Sequence, residues 1–369
     1  MRYLVGLLAV AGIAGVTAPV AAQEAAADPF PLKFSGYATA SYTWSSGAVG
    51  DQIVGRFYDR NQSEFMANAL KLVIEKPFDS AKLSGGFKFD ALFGQNAEVT
   101  GFAGNRLALG EQGDLLQAYA IVNVPTGKDT WVQFTAGKFA TLIGAEVMED
   151  VVNPNLSIGN QFVYLENFTN TGLKVAAKFS PKVDAQLSIS NGWDLVRDNN
   201  TGKSVMGRVG YSPTGTTTVA LIGYFGPEQA GSGNKRKGAE ITVLTKLGAT
   251  TALWLEGDIG EEEGLTNGGL DKATWAGIGA WLVQDLSPTA SLALRGDYVS
   301  DKDGVRTSGL FGFPTNSGLK FGNATATLNL KGIPSVLIRP EVRVDFANLA
   351  VFDSSKAQVS FALGTSFLF

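Results

Sequence analysis

The sequence predicts an all-β protein, a transmembrane antiparallel up-and-down β-barrel of about sixteen strands with its third loop folded inward. Three observations predict it. The C-terminal segment alternates strictly: Ala357, Val359, Phe361, Leu363, Thr365, Phe367 and Phe369 share one face, and Gln358, Ser360, Ala362, Gly364 and Ser366 the other. Successive side chains of a strand point to opposite sides, so one of these faces suits lipid. The chain then stops on this apolar strand, at Phe369. Soluble proteins rarely stop there, whereas outer-membrane barrels close with a strand whose final aromatic residue is read by the assembly machinery. Finally, alternating segments of about ten residues recur along the chain, and their connections alternate between short and long.

From the N-terminus, Arg2 supplies a cationic start, Tyr3 to Val16 an apolar stretch, and Val20, Ala21 and Ala22 small residues before Gln23. This is the pattern of a cleavable secretory signal over residues 1–22. A membrane helix would need about 20 apolar residues and a stop-transfer pattern. The expected organisation is therefore a signal over 1–22, a short periplasmic segment over 23–31 and one barrel over 32–369, in the outer membrane of a Gram-negative bacterium. No change of composition divides the remainder.

The predicted strands run from Leu32 to Trp44, Ala69 to Lys76, Lys82 to Phe93, Leu115 to Val124, Thr130 to Phe139 and Thr171 to Phe179. They continue with Asp184 to Gly192, Ser204 to Tyr211, Thr217 to Phe225, Gly238 to Lys246 and Thr251 to Gly260. The last are Lys272 to Leu286, Thr289 to Ser300, Leu319 to Lys331, Val336 to Asp345 and the terminal strand. Short turns such as Pro77-Phe78-Asp79-Ser80 and Ser180-Pro181-Lys182 alternate with long loops such as Ser45 to Glu64, Gly94 to Asp114 and Ala140 to Asn170. One rim then faces the periplasm and the other the outside. A secreted β-sandwich also uses alternating strands, but it explains neither the terminal Phe369 nor the glycine content.

The 369 residues include 45 glycines, many inside alternating segments, as at Gly36, Gly86, Gly207, Gly277 and Gly279. Interior strand glycine marks bends and close approaches, which a closed sheet needs. There is no cysteine and no histidine. This removes disulfides, thiol nucleophiles, thiolate or imidazole metal ligands, and the Ser/His and Asp/His pairs of membrane phospholipases and proteases. No enzyme, cofactor or metal centre is expected. A formal net charge of −4 gives no case for nucleic acid.

If the apolar faces point outward, the opposite faces line the lumen. Arg339, Glu341, Arg343 and Asp345 alternate with Ile338, Pro340, Val342 and Val344, so four charges form a ladder on one strand face. A midplane arginine facing lipid costs about 2–4 kcal/mol, so this ladder faces water or other charges. Arg295 with Asp297, Lys174 with Lys178, Glu256 with Asp258, and Lys71 with Glu75 repeat the pattern. Together these predict a wet interior, although any one pair also reads as a structural ion pair in the wall. Sixteen strands leave a channel where eight would be filled by side chains.

Weaker signals remain. Asp301-Lys302-Asp303-Gly304 resembles the start of a calcium loop without its later acidic ligand. Glu261-Glu262-Glu263 and Lys235-Arg236-Lys237 read as loop charge runs, the first able to meet divalent cations bridging lipopolysaccharide. Trp44, Trp131, Trp254, Trp275 and Trp281, with Tyr42, Tyr224 and Tyr298, are expected mainly in interfacial girdles, a sugar-stacking slide being the alternative.

The run Gly137-Lys138-Phe139, then Ile143-Gly144-Ala145-Glu146, Asn153-Pro154-Asn155, Thr171-Gly172 and Asn191-Gly192-Trp193-Asp194 resembles the OmpL-like β-barrel porin type 2 family. The resemblance implies passive transport through the outer membrane, and analogy with porins implies a homotrimer in contact with lipid and lipopolysaccharide. Ala140 to Asn170, the longest loop, occupies the position of the inward-folded third loop of porins and carries Glu146, Glu149, Asp150 and Glu166 without a Lys or Arg. Folded opposite Arg295, Arg339 and Arg343, it would set up a transverse field across a constriction for small hydrophilic solutes. A substrate-specific channel and a closed structural or adhesive barrel are the alternatives.

Overall fold

The computed structural model describes residues 31–100, 112–264, 271–315 and 318–369. The signal segment and nearly all of 23–31 lie outside the described residues. Sixteen antiparallel strands form a closed barrel. They are β1 (Lys33–Ser45), β2 (Glu64–Lys76), β3 (Ser84–Phe93), β4 (Gly113–Pro125), β5 (Trp131–Ala140) and β6 (Thr169–Ser180). Next come β7 (Val183–Ser190), β8 (Ser204–Thr214), β9 (Thr217–Pro227), β10 (Lys235–Lys246) and β11 (Thr251–Glu263). The chain ends with β12 (Lys272–Ser287), β13 (Ala290–Asp301), β14 (Leu319–Leu330), β15 (Val336–Ala347) and β16 (Ala357–Leu368). Each pairs with its sequence neighbours, and β1 pairs with β16 to close the ring. At the seam, Gly36 N–H donates to the Phe369 carbonyl at 2.9 Å and Phe369 N–H returns to Gly36 at 3.1 Å. Closure leaves no sheet edge, which lets strands cross a bilayer with their backbone groups paired.

The two faces divide as the alternation predicts. On β16, Leu363 and Phe367 are 53% and 51% exposed, while Gln358 and Ser360 on the other face are 1% and 2% exposed. The second strand departs from the prediction by beginning at Glu64. Thr39 pairs with Ala69 but Ala40 with Ala67, so Asn68 is an extra residue in a bulge. Asn68 and Ala69 both turn inward there, which breaks the period-2 pattern and hides the first third of the strand. The two charge runs are not loops either. Arg236 lies opposite Glu262 and Lys237 opposite Glu261 on the extended ends of β10 and β11. Arg236 bonds Glu262 at 2.7 Å and Lys237 reaches Glu261 at 2.9 Å.

Long connections fold inward as well as outward. The first loop carries a small hairpin of Ala48–Val49 with Gln52–Ile53, and the second begins with α1 (Gln95–Thr100). The third, residues 141–168, contains a 3-10 turn at Asp150–Val152 and α2 (Asn160–Leu165). Phe57, Tyr58, Phe162, Tyr164, Phe168 and Phe313, from three loops, form a buried apolar core with Trp275, Phe321 and Phe352. Phe57 and Phe162 each lie 5.2 Å from Phe168, and Tyr164 meets Phe321 edge-on at 5.1 Å. Such pairs add about 0.5–1.5 kcal/mol beyond area burial. The interior is therefore partly dry, where the charged faces alone predict water throughout.

Leu363 stands mid-strand on the outward face. Replacing it with arginine should lower unfolding stability in lipid vesicles by about 2–4 kcal/mol, measured by chemical denaturation. An unchanged midpoint would place that face away from lipid.

Candidate pore constriction

Once residues 141–168 turn into the barrel, their main-chain amides and carbonyls leave bulk water and need partners. The inward-facing charges of the wall supply them. Glu240 Oε1 accepts from the Gly144 amide at 2.8 Å and Glu256 Oε2 from Ala145 at 2.7 Å. Glu341 accepts from Leu156 at 2.8 Å and from Ser157 at 3.2 Å, and Asp297 from Asn160 at 2.9 Å. The arginines take the carbonyls. Arg339 donates to Asp150 O at 2.8 Å and Asn155 O at 3.1 Å, Arg343 to Ile158 O at 2.8 Å, and Arg295 to Ser157 O. Thus acids hold the loop's N–H groups and arginines its C=O groups, alternating along the same stretch.

Side chains complete the attachment. Glu146 accepts from Arg295 at 3.0 Å, from the Trp281 indole at 2.9 Å and from the Gly159 amide at 2.5 Å. Asp150 lies 3.7 Å from Arg339, and Lys71 bonds Glu149. Asp345 accepts from Arg343 at 2.7 Å and lies 3.3 Å from Arg56 of the first loop. Asn155 Nδ2 donates to Thr327 at 2.7 Å, and Asn329 to Pro154 O at 3.0 Å. Helix α2 rests on Gly277 and Gly279. A Cβ on Gly277 would sit 2.5 Å from Gln161 Oε1 and 2.6 Å from a Leu165 methyl, so any larger residue would displace the ends of both side chains.

The expected transverse field between an acidic loop and a facing arginine wall is not what these residues form. Arg295, Arg339 and Arg343 are 3%, 0% and 1% exposed and touch the loop directly. Their charge is spent on the loop's backbone and on Glu146, Asp150 and Asp345. Glu166 differs from the other loop acids. It has no ion pair among the described residues and lies instead with Glu240 and Glu256. Burial and those two carboxylates raise its pKa well above the usual range. Burial raises Glu149 too, but the charges of Lys71 and Lys88 outweigh it and hold that carboxyl at about 2.

The other arc of the wall is left to the lumen. No hydrogen bond among the described residues joins the loop to Lys88, Tyr119, Lys174 or Lys178. Lys174 lies over the Phe139 ring at 4.8 Å, and Lys88 is 3.7 Å from Asp90. Lys178, half-buried, stands opposite Asp184 and Trp131 in the register. On the loop side Glu149 remains about a fifth exposed, beside Lys71.

Several other sequence expectations change. Trp275 and Trp281 are buried on the inward face of β12, where Gly277 and Gly279 share their parity, so they are not girdle residues. Trp254 lies beside Trp281 with ring centroids 6.5 Å apart. Trp44 fits a girdle, 40% exposed and stacked on Phe361. Asp301 accepts from the Val305, Arg306 and Thr307 amides and Asp303 from Thr274, so the calcium-like run staples its own loop. Arg56, which bonds Asp59 and Ser360, sits in an aperiodic loop that carried no signal in the sequence.

Glu341→Ala should expose the amides of Leu156 and Ser157 without a partner, at about 1–3 kcal/mol each. Hydrogen exchange over residues 155–160 should accelerate on the order of tenfold to a hundredfold while strand protection is kept. Acidification to pH 4 should leave the Glu149–Lys71 tie intact, because a carboxyl held near 2 loses its contribution only as pH falls through that value. Glu149-dependent exchange changes near pH 4 would contradict this.

The fold recurs in solved outer-membrane proteins of remote sequence. The anion-selective porin from Comamonas acidovorans is 8% identical, with a TM-score of 0.62 over 92% of this chain and 99% of that one. In vitro folded OmpT of Vibrio cholerae, in its trimer form, is 11% identical, with a TM-score of 0.61 over 93% and 100%. OprB of Pseudomonas putida is 12% identical, with a TM-score of 0.60 over 92% and 94%. No curated protein matches the sequence significantly. The profile of the family described as "Putative beta-barrel porin-2, OmpL-like" matches residues 31–369, and with the closed barrel and its inward loop on view, the chain belongs to that family of outer-membrane porins.

Proposed function

We propose that this porin passes small hydrophilic solutes and ions passively through the gap between residues 141–168 and the lysine-bearing arc of the wall. The observation that carries the reading is the one-sided attachment of the loop: it is bonded from Glu240 round to Arg343 and at Lys71, and free of Lys88, Lys174 and Lys178. A sixteen-strand perimeter leaves an aqueous lumen, and a loop fixed to one side narrows it without sealing it. In this reading Glu146, Asp150 and Glu166 fix the loop, and Arg295, Asp297, Arg339, Glu341, Arg343 and Asp345 are its anchors. Glu149 edges the gap. Lys88, Lys174 and Lys178 bias it toward anions, since ions in a narrow path feel the fixed charge beside them.

Export by the segment 1–22, recognition of Phe369 by the assembly machinery, contact with lipopolysaccharide and assembly into a homotrimer belong to the same proposal.

Purified protein in planar bilayers should give stepwise conductance. Lys88→Glu with Lys174→Glu should move the reversal potential in a salt gradient toward cations, and Glu146→Ala with Glu341→Ala should raise single-channel conductance. Insertion without conductance steps would favour a closed barrel and overturn the proposal. Saturable block by one solute at submillimolar concentration would point instead to a substrate-specific channel.

A further inference from the structure

One attachment of the loop, where residues 144–145 and 166 meet β10 and β11, gathers acids without a cation. The carboxylates of Glu166, Glu240 and Glu256 offer oxygens within 4.8 Å of one another, all buried, and none has an ion pair among the described residues. The Gly144 and Ala145 amides fix one oxygen each of Glu240 and Glu256. Glu240 Oε2 and Glu256 Oε1 have no hydrogen-bond partner, and neither has either oxygen of Glu166, whose residue is 2% exposed. Glu166 is thus a buried side chain without a basic partner, its carboxyl facing that of Glu256, whose other oxygen is held by the Ala145 amide.

A second buried side chain without partners lies against the neighbouring strand. Gln161 is 1% exposed, and both its amide oxygen and its nitrogen lack partners. Its side chain lies against Gly277 and Gly279, within 2.5 Å and 2.6 Å of where their Cβ atoms would be. Those glycines are the cross-strand partners of Asp258 and Glu256. A neutral oxygen donor therefore stands alongside the carboxylates, and the 1% exposed Asp258 adds a fourth acid at the same level.

We propose that Glu166, Glu240 and Glu256, with Gln161 as a neutral ligand, bind a calcium ion that staples the third loop to the barrel wall. Oxygens on opposite sides of a calcium ion bound at about 2.4 Å are about 4.8 Å apart, so carboxylate oxygens that all lie within 4.8 Å of one another can reach the same ion. Magnesium, which demands a near-ideal octahedron and keeps several of its waters, suits a buried, irregular set of carboxylates less well. Three carboxyl groups taken out of water with no basic partner can all be ionised only beside a compensating charge, and a divalent cation supplies it. The binding itself does not depend on what passes through the lumen. It does revise the expectation, drawn from the missing cysteine and histidine, that there is no metal centre: an all-oxygen site needs neither residue.

The test uses the full barrel folded in detergent, free of lipopolysaccharide and stripped with a chelator. Calorimetric titration with CaCl₂ should show one site of submillimolar affinity, at least tenfold weaker for MgCl₂. Glu166→Gln, with folding verified by the heat-dependent gel shift typical of barrels, should weaken Ca²⁺ binding at least tenfold, whereas Glu261→Gln with Glu263→Gln should not. Terbium, excited through nearby tryptophan, should luminesce in the wild type and be displaced by calcium. Absence of a submillimolar site in the wild type overturns the proposal whether or not the variant folds. Equal affinity in wild type and a folded Glu166→Gln also overturns it, as does a Glu166→Gln protein that is more heat-stable than the wild type with calcium present, the mark of a shared proton in place of an ion.

Discussion

Everything inside this barrel answers to one requirement: a main chain drawn into an enclosed space must find partners for its amides and carbonyls. Sheet pairing meets that requirement for the wall, and the wall's inward charges meet it for the loop. Arg339, Glu341 and Arg343 stand two residues apart, so one strand face presents donor, acceptor, donor at regular spacing. The loop between Asp150 and Asn160 is laid along that series with its carbonyls and amides in matching order. A ladder that resembles a selectivity filter in the sequence is, in the fold, mainly a fastening for backbone.

This use of charge makes the lumen asymmetric. From Glu240 to Asp345 the wall is covered, and from Arg295 onward its charges are paired locally. From Lys88 to Lys178 no hydrogen bond among the described residues ties the wall to the loop. Arginine suits the covered side because its planar fork reaches several oxygens at once, as Arg295 does with Ser157 and Glu146.

What the sequence revealed follows from what period-2 alternation encodes. The inward and outward faces of β15 and β16 were fully legible, as were the number of strands, the seam residue Phe369 and the loop that turns inward. Alternation says which face a residue is on but not what it meets. The partners of Arg339 lie 184 and 189 positions away and share no local pattern with it. Asn68 was lost because a bulge places two successive residues on one face. Trp281 was misjudged because aromatics at strand ends usually belong to girdles, though its parity with Gly277 and Gly279 would have turned it inward. Arg56 lies in an aperiodic stretch and left no trace to read.

The ladder also has a place in time. It sits on the penultimate strand, next to the seam where β16 meets β1, while the loop it holds is made more than 180 residues earlier. Until the final hairpin joins the ring, Asp150 to Ile158 are held only by β13 and β14, through Arg295, Thr327 and Asn329, and lack the ties to Arg339, Glu341 and Arg343. The hairpin that closes the ring is thus also the one that completes the attachment of the inward loop.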